Sequence, residues 1–177
     1  MTVSHSFNSL GDTQARILIL GSMPSVQSLA MRQYYAHPRN AFWPIMAALF
    51  NEGQPLAYLQ GQYMLQEKGV AIWDVLKSCM RKGSLDAAID KRTMKMNDFN
   101  MFFAEHSSVT HIFFNGGTAE HLYKKYIWPT LAAQHQSLVY TRLPSTSPAY
   151  AAMRYQEKLA AWRVLQAVLN QSYYQDI

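Results

Sequence analysis

The sequence contains a single cysteine, Cys79, and this scarcity excludes two classes of protein. No intrachain disulfide can form, so a secreted fold held by disulfides is excluded, and so is a zinc site made of cysteines. The six histidines show no HExxH or related spacing, so we expect no metal. No apolar run reaches the roughly 18 residues of a membrane span, and no basic segment followed by an apolar one marks a signal peptide. We therefore expect a cytoplasmic protein that does not bind a membrane.

Charged residues are also few, at 15% of the 177 residues, whereas apolar residues make up 49% and aromatic residues 13%. This composition excludes a disordered chain. The net charge of +5 favours an anionic partner. The segment 76–95 carries six basic and two acidic residues, and six minus two leaves +4 of that charge there. Its Lys77, Arg81 and Lys82 are candidate phosphate contacts, and a solvated protein surface is the alternative.

Four short apolar runs have the length and composition of strands buried on both faces of a parallel sheet. These runs are Arg16–Leu20, Gly69–Trp73, His111–Phe114 and Ser137–Thr141. Segments with helical spacing of apolar residues lie between and after them: Asn40–Phe50, Leu56–Lys68, Asn97–Glu105, Ala119–Trp128 and Arg154–Leu169. The alternation predicts an α/β fold, a three-layer α/β/α sandwich around a short, mainly parallel four-stranded sheet. We expect one domain over residues 1–177, with its core at about 16–169.

Ligands of such sheets bind beyond the carboxyl ends of the strands, so the residues after the four runs are candidate site residues. The first loop offers backbone N–H groups and hydroxyls that can hold a carbonyl or a phosphate. Its residues are Gly21, Ser22, Met23, Pro24 and Ser25. Asp74 follows the second run, and the segment 115–118 (NGGT) follows the third. Ordinary strand-to-helix turns are the alternative, and neither a P-loop nor GxGxxG occurs.

The loop after the fourth run, LPSTSP, places three hydroxyl residues between two prolines. Prolines lower the entropic cost of ordering a loop, and hydroxyls are common phosphate contacts. The candidate contacts are Pro144, Ser145, Thr146, Ser147 and the bulky Tyr150, which could act as a wedge in a duplex. A surface loop that leads into the last helix is the alternative.

A further cluster, YYAHPRNAFWP, crowds aromatic rings around His37, Arg39 and Asn40. Asn40 could cap the following helix through its side-chain oxygen, and Phe42 and Trp43 could belong to the core. Flat rings beside an amide also suit a planar heterocycle, which is stacked on its faces and hydrogen-bonded at its edge.

Four motifs in this order, GSMPS, YYAHPRNAFWP, WDVLKSCMRKGSLDAAI and LPSTSPAYA, resemble the uracil-DNA glycosylase superfamily, and most closely its hypoxanthine-DNA glycosylase branch. The resemblance implies a monofunctional glycosylase without a cofactor that flips a deaminated base out of damaged DNA and hydrolyses its N-glycosidic bond. It implies that Asn40 is catalytic and that Phe42 stacks on the flipped base. It also implies that GSMPS is the first motif of the superfamily and that the LPSTSP loop grips DNA. From their positions, the first loop offers backbone N–H groups to the base, and Asp74 either reads an N–H of the base or acts on water, with a helix or turn cap as the alternative. Asn40 either positions the water or binds the edge of the base. We expect a monomer.

Two departures from the superfamily pattern bear on the substrate. Many members carry Asn or Asp in the first motif to orient water, whereas this loop reads Gly21-Ser22-Met23. The best-known uracil enzymes begin the last motif with His, and this chain has Leu143 there. Hypoxanthine is therefore the expected substrate. A uracil- or mismatch-directed glycosylase and a non-catalytic nucleic-acid-binding module are the alternatives.

Overall fold

A four-stranded parallel sheet forms the centre of the protein in the computed structural model, which describes residues 3–171. Its strands are β2 (Ile17–Gly21), β3 (Val70–Asp74), β6 (His111–Asn115) and β7 (Val139–Leu143), in the spatial order β3-β2-β6-β7. Ile17 pairs with Val70 on one side and with His111 on the other, so the carboxyl ends of the strands meet at one edge. The predicted strands are confirmed within one or two residues at each end.

Side chains of the central strand alternate between two apolar cores, one on each face of the sheet. Ile17 and Ile19 pack with Phe42, Ile45 and Trp162. Leu18 and Leu20 pack with a second set on the other face: Leu76, Cys79, Phe99, Phe103 and Tyr123. Because successive strand residues point to opposite faces, an unbroken apolar run is the pattern of a sheet covered on both sides. The three-layer α/β/α arrangement is confirmed.

Helices cover both faces. In chain order they are α1 (Val26–Met31), α2 (Phe42–Phe50), α3 (Tyr58–Glu67), α4 (Phe99–Glu105), α5 (Gly117–Leu122), α6 (Ala133–Gln136), α7 (Tyr155–Trp162) and α8 (Val164–Gln171). A π turn at Tyr123–Ile127 and a 3₁₀ turn at Trp128–Thr130 extend α5. The predicted long last helix is interrupted at Arg163 and forms α7 and α8. No helix within residues 3–171 is long and apolar enough to cross a membrane.

A second, antiparallel sheet was not expected from the sequence. It consists of β1 (Val3–His5), β4 (Leu76–Arg81) and β5 (Ile89–Met96), in the order β1-β4-β5. Only Val75 separates β3 from β4, so the chain leaves the central sheet and enters this hairpin directly. The basic segment 76–95 is therefore a hairpin, with its loop of residues 82–88 beside the first loop of the central sheet.

The predicted domain, residues 1–177, begins and ends outside the described part of the chain, because residues 1–2 and 172–177 are not described.

Candidate active site

A cavity of about 630 Å³ opens at the carboxyl ends of the central strands. It lies where the strand order reverses around β2 and β6, the position at which parallel sheets bind ligands. Its walls contain the predicted residues Gly21, Ser22, Met23, Pro24, Ser25, Asn40, Asp74, Ser145, Thr146, Ser147 and Tyr150. Sequence motifs that lie far apart in the chain therefore come together at one site.

Asp74 lies at the floor of this cavity, with only 2% of its surface exposed. The Ser6 hydroxyl donates to Asp74 Oδ2 at 2.6 Å. Burial raises the pKa of the Asp74 carboxyl from 3.8 to about 7, and the hydrogen bond from Ser6 opposes this rise. The carboxyl is therefore poised to exchange its proton near neutral pH, a property found at functional sites. The Asp74 side chain accepts from the Ser6 hydroxyl and from no backbone N–H within residues 3–171, so the alternative of a helix or turn cap does not hold.

Gly21 leaves the Asp74 carboxyl accessible. A Cβ atom at position 21 would lie 2.5 Å from Asp74 Oδ1 and 3.3 Å from the Tyr35 hydroxyl oxygen. Any larger residue would therefore push into both groups, so the first motif needs glycine here for space.

Tyr35, which the sequence analysis did not single out, lines the cavity, and Phe42 does not. Phe42 is completely buried, and the Tyr35 ring stacks on it with ring centres 4.0 Å apart. The Phe42 ring also makes edge-on contacts with Trp43 at 5.1 Å and with Trp162 at 6.0 Å. Phe42 therefore belongs to the core, and its predicted stacking on a base does not fit its position. Tyr35 adopts φ of 57°, a strained conformation that turns its ring to the cavity.

The Tyr35 hydroxyl is buried and has no hydrogen-bond partner within residues 3–171. Burial and the neighbouring Asp74 raise the pKa of this phenol well above its ordinary value, so it stays protonated. A buried hydroxyl without a partner costs free energy. A ligand that hydrogen-bonds to it would remove that cost.

Asn40 lies at the mouth of the cavity, just before α2. Its Oδ1 accepts a hydrogen bond from the Phe42 N–H at 2.9 Å, which is the capping contact that the sequence analysis offered as an alternative. That bond fixes the orientation of the amide, whose nitrogen has no partner among the described residues. Asn40 also lines an adjoining cavity of about 350 Å³. The capping contact leaves the amide available for a second partner.

The hairpin holds the first loop in place through Arg81 and Asp86. Only 1% of the Arg81 side chain is exposed, and its guanidinium donates to the Pro24 carbonyl and lies 3.6 Å from Asp86. Asp86 accepts hydrogen bonds from the Ser22 hydroxyl at 2.8 and 2.9 Å. The prediction that Arg81 contacts a DNA phosphate is therefore wrong, because its guanidinium is buried and pairs with Asp86. Lys77 and Lys82 are exposed, as a phosphate contact requires.

Asn115 and Lys158 hold the last loop. Asn115 belongs to the candidate segment 115–118, whereas Lys158 was not predicted. The Asn115 amide accepts from the Thr146 N–H at 2.8 Å and donates to the Thr146 hydroxyl at 2.9 Å. The Lys158 ammonium donates to the Tyr150 carbonyl at 2.8 Å and lies 5.3 Å from the centre of the Tyr150 ring. Asn115 ends the third strand, at the edge of the sheet where ligands bind. Nothing in the sequence distinguished Lys158 from a surface lysine.

The cavity thus combines a buried carboxyl, a fixed amide at its mouth, an aromatic wall and two loops held from behind. A flat heterocycle fits this arrangement, in which Tyr35 offers a ring for stacking and Asp74 a hydrogen-bonding group for its edge. No cluster of three or more metal-ligating side chains occurs within the described range 3–171.

Comparisons with known proteins agree with this arrangement. A family model described as the uracil DNA glycosylase superfamily matches residues 8–166. A hypoxanthine DNA glycosylase from Methanosarcina acetivorans is 34% identical over 118 residues, 66% of this chain and 73% of that protein. A hypoxanthine DNA glycosylase from Methanosarcina barkeri is 32% identical over 106 residues, 59% of this chain and 66% of that protein. A solution NMR structure from Methanosarcina acetivorans, provisionally described as a uracil DNA glycosylase, is similar with a TM-score of 0.73 at 30% identity, over 93% of this chain and 99% of that one.

Proposed function

This chain belongs to the uracil DNA glycosylase superfamily, and from that premise we propose that it removes hypoxanthine from DNA. It is a DNA glycosylase for deaminated bases, a hydrolase of N-glycosyl bonds. The relatives named hypoxanthine DNA glycosylase support hypoxanthine as the base. The observation that carries the mechanism is the buried Asp74 carboxyl at the floor of a cavity whose mouth holds Asn40.

In this mechanism the flipped base stacks on Tyr35 and its edge reaches Asp74. Hypoxanthine presents an N–H donor beside a carbonyl acceptor. A protonated carboxyl group can accept from the N–H and donate to the carbonyl at the same time. The raised pKa of Asp74, about 7, supports this pairing because the protonated form is abundant at neutral pH. The unpartnered Tyr35 hydroxyl provides a further donor at the cavity floor.

Asn40 is assigned to the water that attacks the sugar. Asn40 lies at the mouth of the cavity, whereas Asp74 is buried at its floor. These positions support the assignment of Asn40 to the water and of Asp74 to the base. The Phe42 N–H fixes Asn40 Oδ1, whose second lone pair can accept from the water. An amide positions water without ionising, which suffices when the bond to the leaving base breaks early.

Cleavage breaks the bond between C1′ and the base, and its electron pair stays with the base. Positive charge on the sugar is removed when the water oxygen bonds to C1′ and the water proton passes to solvent, from which Asp74 regains the proton that it gives to the base. The departing base is stabilised by a proton from Asp74 and by the backbone N–H groups of Ser22 and Met23, which line the cavity. Each of these groups acts on charge that develops only during the reaction.

The damaged DNA strand would lie across the two loops that form the cavity mouth. Pro24, Ser25, Ser145 and Ser147 present backbone groups and hydroxyls there, which are typical phosphate contacts. The predicted contacts at Pro144 and Thr146 do not fit the structure: the Pro144 carbonyl accepts from Trp162, and Thr146 is buried and bonded to Asn115. The exposed Lys77 and Lys82 add a sequence-independent attraction. Monomeric action in the cytoplasm, without a cofactor, is part of the proposal.

Uracil is a second candidate base, because it carries the same N–H and carbonyl pair and because the similar NMR structure is provisionally described as a uracil DNA glycosylase. One assay separates the candidates. Duplexes with inosine, uracil, xanthine or no lesion are incubated with the protein, and abasic sites are then cleaved with alkali. We expect strand breaks at inosine; breaks only at uracil would contradict the hypoxanthine assignment. Binding without breaks in any duplex would favour a non-catalytic module.

A further inference from the structure

Leu85 lies at the rim of the cavity and packs into neither of the two apolar cores. It lines the cavity, yet 60% of its surface is exposed. It lies in the hairpin loop of residues 82–88 and belongs to the motif WDVLKSCMRKGSLDAAI, but no role has been given to the residue itself. A single exposed leucine is ordinary on a protein surface. A leucine on the rim of a site for a flipped base, however, is placed to contact the DNA bases beside that nucleotide.

The backbone on either side of Leu85 is fixed while the side chain is not. The Ser84 carbonyl accepts from the buried Arg81 guanidinium, and the Ser84 hydroxyl accepts from the Val26 N–H at 2.9 Å. On the other side, the Leu85 carbonyl accepts from the Ala88 N–H at 3.0 Å. The apolar side chain is therefore held out into solvent by a rigid loop, so little ordering is needed when it binds.

A second exposed side chain lies on the same rim over the opposite face of the sheet. Tyr150 is 40% exposed and lines the same cavity, and the ammonium of Lys158 in α7 holds its carbonyl. Helix α7 packs with the core that contains Trp162, whereas the hairpin packs with the core that contains Leu76 and Cys79. Leu85 and Tyr150 thus stand on two sides of the cavity mouth.

We propose that Leu85 inserts into the DNA base stack beside the flipped nucleotide and acts as a wedge across the cavity mouth from Tyr150. Apolar side chains that enter a base step hold it unstacked, and extruding a base costs a few kcal/mol of stacking and pairing. Lys82, exposed three residues earlier, is placed to meet the backbone phosphate of the same step. The inference rests on the proposed function, because it needs a duplex at this rim.

The test compares Leu85→Ala with Leu59→Ala, which truncates a leucine of equal exposure (58%) on α3 that lines neither cavity. Base release is measured on inosine in a fully paired duplex and on inosine within a three-nucleotide bubble, where stacking is already lost. We expect Leu85→Ala to slow release about tenfold on the paired duplex and less than about threefold on the bubble. Leu59→Ala should change neither rate.

A fluorescence measurement of binding distinguishes the insertion of Leu85 from the release of the base. The fluorescence of 2-aminopurine placed next to inosine rises when the base step opens. We expect the wild-type protein to raise it and Leu85→Ala to raise it less. Equal losses on both substrates, or an unchanged fluorescence response, would overturn the wedge. A response that depends on Leu85 without any base release would support the wedge and overturn the proposed function instead.

Discussion

Asp74→Asn should make the protein more stable while it removes activity. The substitution preserves shape, and the Ser6 hydroxyl can still donate to the side-chain oxygen. Burial raises the pKa of the Asp74 carboxyl from 3.8 to about 7. A difference of about 3 between the unfolded and the folded chain corresponds to about 4 kcal/mol. The wild-type carboxyl is therefore destabilising whenever it must be ionised in the folded protein.

The pH dependence of this effect has a definite sign. Because the folded chain binds the proton more tightly, wild-type stability falls as the pH rises from about 4 to about 7 and is level above that range. Asparagine does not titrate, so Asp74→Asn should lack this contribution. Its advantage in free energy of unfolding should be near zero at pH 4 and reach about 4 kcal/mol at pH 8.

Urea unfolding curves at four values between pH 4 and pH 8 would measure this difference, with Glu67→Gln, which changes an exposed carboxylate outside the cavity, as the control. A difference that does not grow with pH would refute the account of Asp74 as a buried carboxyl that burial disfavours in its charged form. Base release on inosine DNA is the second readout. If Asp74→Asn releases the base at a rate close to that of the wild type, the proposed contact between Asp74 and the base is refuted.

Three further predictions concern residues whose roles the structure changed or supports. Arg81→Met should lower the free energy of unfolding by about 3 kcal/mol, because the guanidinium is buried and paired; an unchanged urea midpoint would contradict this. Tyr35→Ala should weaken binding of inosine DNA about tenfold, whereas Phe42→Ala should cost about 4 kcal/mol of stability, as expected of a core residue; the reverse pattern would restore Phe42 to the site. Replacing Lys77 and Lys82 with alanine should lower the slope of log affinity against log salt by about 1 to 2, and an unchanged slope would make them solvated surface charges.

The central sheet could be predicted because burial on both faces leaves a simple pattern. Arg16–Leu20 and His111–Phe114 are almost continuously apolar, and no polar alternation was needed to recognise them as strands. Their loops could then be assigned to one edge from the parallel topology alone. That reasoning also brought Asp74, after the second strand, into the site.

The antiparallel hairpin could not be predicted in the same way. Ile89–Met96 is an edge strand, and edge strands carry charged side chains that discourage pairing with other chains. Its lysines and arginine therefore indicate a basic surface, and their pattern does not predict a strand. The composition also gave no sign that Arg81, one of the six basic residues, points inward to Asp86.

The choice between two neighbouring aromatic residues was likewise beyond the sequence. Tyr35 and Phe42 belong to the same motif, and both suit a stacking role. Which ring faces the cavity depends on the left-handed backbone at Tyr35 and on the packing of Phe42 against Trp162. Tyrosine rarely adopts the left-handed conformation, so the residue type does not predict it. The packing of Phe42 against Trp162 joins residues that are far apart in the chain, so their spacing does not predict it either.

The most direct test of the central claim is the single-turnover rate at which free hypoxanthine leaves inosine DNA for the wild-type protein and for Asn40→Ala. Saturating protein removes differences in binding, so the rate reports the chemical step. If Asn40 holds the attacking water, losing that contact should slow release on the order of 100-fold or more. The substitution also removes a helix-capping contact, so the stability of the variant should be measured alongside. A folded Asn40→Ala protein that releases hypoxanthine at the wild-type rate would contradict the account.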